Sequence, residues 1–266
     1  MRAFLFIGLW LLALTASAVS QPDPFPQVAE SYLVEINGET IWERHIGKRL
    51  PPASLTKLMT ALLVLEQAKL QEIVQVSQAA SLETGSRLGL KAGERLHVED
   101  LLAATMLQSA NDACHALADH IGGSEAAFVI QMNRRAQQLG LLDTQFRNAC
   151  GHDAVGHYST AANLARLARE LLKLPQIVPL ASQQRSTIST LEGKQYPLSN
   201  KNALIGRYDG ALGLKTGYTA KAGTCLVALA RRDGHEVLLV MLHGKDRWWD
   251  AADILDLAFD HARMAH

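Results

Sequence analysis

The sequence predicts an α+β fold, an antiparallel sheet flanked by helices, with a helical subdomain inserted in the middle of the chain. Three observations point there. Near the start, Asn37-Gly38 separates two short β-type runs, residues 31–36 and 40–46. Near the end, Asp233-Gly234 separates two more, residues 224–231 and 236–243. Both dipeptides suit the tight turns of hairpins, whose central residues take positive φ. Between the two hairpins the apolar residues recur every three or four positions, the period of helices rather than strands.

Taken in order, residues 53–70 read as the first helix, with Leu55, Leu58, Met59, Leu62 and Leu65 along one face. Further helices are expected over 98–107, 112–121 and 125–139, the last stopped by Gly140. Gln108-Ser109-Ala110-Asn111 falls at the junction of the first two. Ser159 or Thr160 caps a helix running to residue 174, just before Pro175. Residues 213–218 then read as a strand that joins the later hairpin. A closing helix is expected over about 247–264, with Trp248, Ala252, Leu255, Phe259 and Ala262 as its apolar stripe and four aspartates elsewhere.

Of the 266 residues, 48% are apolar, enough for a sizeable core, which excludes a disordered chain. Lys plus Arg equals Asp plus Glu at 26 each, so there is no electrostatic footprint for nucleic acid. Met1-Arg2, an apolar run over 3–14 and Ala16-Ser17-Ala18 have the order of a secretory signal cleaved after Ala18. The expectation is an exported protein, periplasmic or secreted, with residues 19–266 as one domain. Neither a C-terminal β domain nor a stable membrane anchor is expected, since aspartates line the exposed face of the last helix and anionic lipid would repel them. Export brings an oxidising compartment. Of the three cysteines, Cys114 reads as a small buried apolar residue in a helix. A Cys150–Cys225 bridge stays open, and Cys150 is given no chemical role, so that Cys150→Ser is expected to change activity little.

Three short motifs carry chemistry. In Ser54-Leu55-Thr56-Lys57 the serine and lysine are one helical turn apart. Serine is a weak nucleophile until a base takes its proton, and a lysine serves when burial or a neighbouring cation lowers its pKa. Average usage gives about one S-x-x-K by chance in a chain of this length. A capping serine beside a solvated lysine would read identically. Ser109-Ala110-Asn111 places a hydroxyl and an amide at a helix junction, where both can face a cleft. An ordinary N-cap explains it equally well, and it too arises about once by chance. Lys215-Thr216-Gly217 lies in a strand where the glycine lets another backbone come close. Its chance frequency is only about 0.05, although a protective lysine on an edge strand is its bland reading. The three in this order, on helix, junction and strand, form the set long associated with penicillin-binding proteins and class A β-lactamases.

With these motifs and their flanks, Ala53 to Thr60, Leu107 to Ala113, His157 to Ala161 and Gly213 to Thr219, the sequence resembles the serine D-Ala-D-Ala carboxypeptidases, the low-molecular-mass penicillin-binding proteins. The resemblance covers roughly residues 30–260 and implies a β-lactamase/transpeptidase-like fold. It implies that Ser54 forms an acyl-enzyme, that Lys57 takes its proton and that Ser109 passes it to the leaving amine. Asn111 would position substrate, and Lys215 and Thr216 would hold the terminal carboxylate. Gly217 completes the strand motif, and the backbone N–H groups of Ser54 and Tyr218 would form the oxyanion hole. Lys215 is expected to be the cation that lowers the pKa of Lys57. The implied substrates are peptidoglycan pentapeptides or cross-linked stem peptides, with β-lactams as covalent inhibitors and no cofactor. Glycine is more usual in the family at Ala110, and histidine and leucine at Cys150 and His152. The family often has a carboxylate-binding basic residue after the last strand, for which Lys245 and Arg247 are both candidates.

Other readings remain at this point. A DD-endopeptidase would use the same site. A β-lactamase needs a glutamate-held water, and its E-x-x-L-N signature is absent, Glu170-Leu171-Leu172-Lys173 being no substitute. A metal-dependent hydrolase could use Cys150, His152, Asp153 and His157, although H-E-x-x-H is missing. A peptidoglycan-binding protein without catalysis would keep the fold alone.

Overall fold

The computed structural model describes residues 23–246 and 248–264. The expected signal segment lies outside them. Strands β1 (Ala29–Ile36) and β2 (Glu39–Arg44) form the first hairpin. Asn37 and Gly38 take φ of 50° and 94°, the conformation the turn demands. The first helix differs from expectation. It opens as a 3-10 turn over Ala53–Thr56 and becomes α1 only over Lys57–Gln67. The reason is local: Ala53 has φ 47°, outside the right-handed α region, so a regular α-helix cannot start there, and Ala68 is already extended.

Next come β3 (Ile73–Gln75), α2 (Gln78–Ser81) and β4 (Arg95–His97), none of them expected. Helices α3 (Val98–Leu107), α4 (Asn111–Gly122), α5 (Glu125–Gln138) and α6 (Ala161–Leu172) fall where the periodicity puts them. The cap of α6 is Thr160, whose hydroxyl accepts from the Asn163 N–H at 3.1 Å. A short helix α7 (Ile177–Ala181) and a second unexpected hairpin, β5 (Arg185–Ser189) with β6 (Gln195–Ser199), lead back to the sheet. Strands β7 (Ala211–Thr219), β8 (Gly223–Arg232) and β9 (His235–Gly244) precede the closing helix α8 (Trp249–Met264).

The main sheet is antiparallel in the order β2-β1-β9-β8-β7. Both its faces are covered, which is why β9 reads as an unbroken apolar run. Leu238, Val240 and Leu242 enter the larger core beneath the helical block, while Val237, Leu239 and Met241 enter a second core beneath α8. Such alternation is the period of a pleated strand. Each of these side chains contributes about 1.5–3 kcal/mol by leaving water. The buried stripe of α8 is Ala251, Ile254, Leu255, Ala258, Phe259 and Ala262. The expected stripe is therefore corrected: Ala252 and Trp248 are only partly buried, and the aspartates at 253 and 256 face solvent. Among the described residues no helix is long and apolar enough to cross a membrane.

Candidate active site

The edge strand β7 lies directly against the 3-10 turn that carries Ser54. A Cβ added to Gly217 would sit 3.1 Å from Ser54 N and 3.2 Å from Pro52 O, so only glycine leaves the two segments in contact without displacement. The third motif is thereby brought onto the first, although 158 to 163 residues of chain separate them in the sequence.

Lys57, in the first turn of α1, is fully buried. Its Nζ donates to Ser54 Oγ at 3.1 Å, to Asn111 Oδ1 at 2.8 Å and to the Cys150 carbonyl at 2.5 Å. Burial pushes its pKa down to about 7; Glu83 opposes this and Lys201 assists it. The assisting cation is thus Lys201, not the expected Lys215. A neutral amine has two hydrogens and one lone pair. With Asn111 and the Cys150 carbonyl taking the two hydrogens, the lone pair is left facing the Ser54 hydroxyl.

Asn111 opens α4, and its amide is fixed from both ends. Its Nδ2 donates to Thr84 O at 2.6 Å, which turns Oδ1 toward Lys57. Ser109 lies two residues earlier in the helix junction, buried, with φ 59°. A serine in this region is uncommon, and strained backbone concentrates at functional sites. The loop that supplies Thr84 is itself held by Asp112, whose carboxylate accepts the N–H groups of Leu88, Gly89 and Leu90. Beside it, Ser86 donates to Gln108 O and accepts from Lys201 Nζ. Thr84, Ser86 and Lys201 of this rim lie in no sequence motif. Asp112, next to the second motif, was its only visible signal.

On β7, Lys215 and Thr216 are buried and Lys215 Nζ donates to Thr216 O at 2.9 Å. Tyr218 follows Gly217 on the same strand and is 65% exposed. Of the two basic candidates after β9, Lys245 lines a surface cavity with Arg44, His45, Lys48 and His243. Arg247 lies outside the described residues.

The loop from Asn148 to His157 closes the other flank. His157 is buried and its Nε2 meets Thr56 Oγ1 at 2.9 Å, tying the loop to the turn that carries Ser54. Burial pushes its pKa down to about 4, so it is neutral at pH 7. The cysteine expectations are corrected here. Cys150 is bridged to Cys114 of α4, while Cys225 keeps its thiol, buried in β8. The residues considered for zinc do not form a site. Cys150 is spent in the disulfide, Asp153 accepts from Thr219 Oγ1 at 2.7 Å, and His152 Nε2 meets Glu83 Oε2 at 2.8 Å. His115 takes the other oxygen of Glu83 at 2.7 Å. Burial alone would raise the pKa of Glu83, but these two histidines outweigh it and hold the carboxyl down to about 2.

Gly151 turns this loop with φ 90°, and an added Cβ would lie 2.0 Å from the Ala53 carbonyl oxygen. Gly151→Ala is therefore expected to cost roughly 2–5 kcal/mol, from overpacking and left-handed strain together. Gly47→Ala, where nothing lies within 4 Å, is the control. Urea unfolding compares them, and equal midpoints would refute the close packing of the loop on the Ser54 turn.

A profile of the D-alanyl-D-alanine carboxypeptidase family, peptidase S11, matches residues 16–246. The chain is 35% identical to the D-alanyl-D-alanine carboxypeptidase DacF of Bacillus subtilis, over 96% of this chain and 69% of that relative. Among solved structures it superposes on a D-alanyl-D-alanine carboxypeptidase from Mycobacterium tuberculosis H37Rv with a TM-score of 0.85 at 29% identity, covering 91% of this chain and 95% of that one. The ampicillin-bound form of penicillin-binding protein D2 from Listeria monocytogenes gives 0.78 at 32% identity, over 90% of this chain and 100% of that one.

Proposed function

Since the chain belongs to the D-alanyl-D-alanine carboxypeptidase family of serine peptidases, we propose that it removes the terminal D-Ala of peptidoglycan stem peptides through an acyl-enzyme on Ser54. The observation that carries this reading is the buried Lys57 amine within 3.1 Å of Ser54 Oγ, with two further acceptors directing its lone pair.

Lys57 takes the Ser54 proton as Oγ attacks the penultimate D-Ala carbonyl. The backbone N–H groups of Ser54 and Tyr218 stabilise the oxyanion, an effect of several kcal/mol in such sites. Ser109 relays the proton to the departing amine, so that the C–N bond breaks and D-Ala leaves. Lys215 and Thr216 hold its carboxylate, and water then hydrolyses the ester. The chain works as one catalytic unit, residues 19–266, exported by a signal over 1–18.

Incubation of the purified chain with monomeric pentapeptide and with cross-linked muropeptides tests this. Free D-Ala is expected from the pentapeptide. Lys215→Ala should slow the release about 10- to 100-fold, the loss of one hydrogen-bonded charge. Splitting of cross-linked dimers with pentapeptide untouched would assign a DD-endopeptidase instead. Consumption of neither substrate would leave a binding protein.

A further inference from the structure

The Lys57 amine takes two of its three partners from segments outside its own helix. Asn111 is the first residue of α4, and Cys150 belongs to an irregular loop with no ladder of its own. Those two segments are joined by the Cys114–Cys150 disulfide, which lies three residues beyond Asn111 on α4 and ends on the residue whose carbonyl meets Lys57. We propose that this disulfide is a positioning device for the general base: by locking the Cys150 carbonyl to the helix that carries Asn111, it fixes both hydrogen-bond acceptors that aim the Lys57 lone pair at Ser54. The inference rests on the acyl-enzyme reading above.

The surroundings of the bridge favour this role over simple stapling of the fold. Ala149, next to Cys150, accepts from Thr60 Oγ1 of α1 at 2.7 Å, so the loop is seated on the helix that bears Lys57. Gly151, on the other side, abuts the Ala53 carbonyl. A second tie runs parallel to the disulfide: Glu83 joins His115 of α4 to His152 of the loop. That noncovalent tie weakens with salt, whereas the covalent one does not. Among the described residues it is the only disulfide. Loss of it frees the loop to move away, admits water to Lys57 and leaves its amine free to rotate. Misplacement by about 1 Å at such a site costs up to about 100-fold in rate. Wetter surroundings also return the lysine toward its ordinary pKa, with Glu83 pulling in the same direction and Lys201 against it.

The test compares the full chain, Cys114→Ser/Cys150→Ser and, as control, Cys225→Ala, by the rate of acylation with a fluorescent penicillin across pH. The double variant is expected to acylate about 10- to 100-fold more slowly at pH 7, which replaces the sequence-based expectation that losing the Cys150 thiol changes activity little. Its acid limb should shift to higher pH, so that part of the loss is recovered in alkali. The same final stoichiometry should be reached, and Cys225→Ala should match the parent. A purely structural bridge would lower the unfolding midpoint without moving the pH limb. Unchanged rate and limb in a variant of native circular dichroism overturn the proposal.

Should the variant fail to fold, reduction of the parent decides. Dithiothreitol gives two electrons to the bridge, each sulfur takes a proton, and the reagent closes to its cyclic disulfide. The rate is expected to fall as two new thiols appear and to return on reoxidation. A constant rate while they appear overturns the proposal. If the oxidised parent itself forms no adduct, the serine-peptidase reading falls, and this role with it.

Discussion

A penicillin is expected to acylate Ser54 and to remain there. The β-lactam presents a strained amide where D-Ala-D-Ala presents its scissile bond, and a carboxylate where the peptide has its own. Attack by Ser54 opens the ring, but the departing amine stays tethered and shields the ester from water. Fast release would need a carboxylate poised to activate water, and neither Glu170 nor Glu83 is so placed. Glu170 lies on α6, engaged with Arg135 and Lys173. Glu83, near the site, has both oxygens taken by histidines. Intact mass should therefore rise by one penicillin, peptide mapping should place it on Ser54, and Ser54→Ala should show no shift. A chelator should not prevent the reaction. Rapid penicillin turnover without an accumulating adduct would instead assign a β-lactamase.

Lys57→Arg is expected to reduce acylation about 10²- to 10⁴-fold, the usual worth of a general base, without loss of the fold. Guanidinium stays protonated and has no lone pair to offer. The parent should show the complementary pH behaviour. Below its pKa of about 7 the Lys57 amine is an ammonium and cannot accept the Ser54 proton, so the rate rises with pH and levels off above it. The arginine variant should show no such limb. Stopped-flow acylation from acid to alkaline pH separates the two. A variant with native circular dichroism and a parent-like rate at pH 7 would remove Lys57 from the role of base.

Much of this architecture was legible in the sequence because it rests on local chemistry. Asn37-Gly38 and Asp233-Gly234 gave their turns, and the 3.6-residue period located α3 to α6. Order and element type together marked the three motifs as candidates for one site, and the structure brings Ser54, Lys57 and Asn111 into hydrogen-bond contact. What escaped depends on distant partners. Nothing in the spacing of Cys114 and Cys150 shows that a helix and an irregular loop bring them within bonding range. Lys215 was expected to lower the Lys57 pKa, yet the residue that assists is Lys201, brought near by the chain after the unforeseen β5–β6 hairpin. The 3-10 start of the first helix was hidden because Ala53 takes a conformation that alanine by itself disfavours.

The place of β1 in the sheet governs when the enzyme can exist at all. Its inner neighbour is β9, with Val34 opposite Leu239 and Ser31 opposite Leu242. A ribosome makes the first of these strands some two hundred residues before the second, as the numbering of these partners records. Until β9 has emerged, the opening hairpin has no sheet to join, and a lone hairpin is barely stable in water. Strand β7, which packs on the Ser54 turn, likewise joins the sheet through β8, itself paired with β9. Contacts this remote close slowly. A growing chain therefore carries Ser54 for most of synthesis without the strand that packs against it, and the proposed site can assemble only when the last strands are in hand.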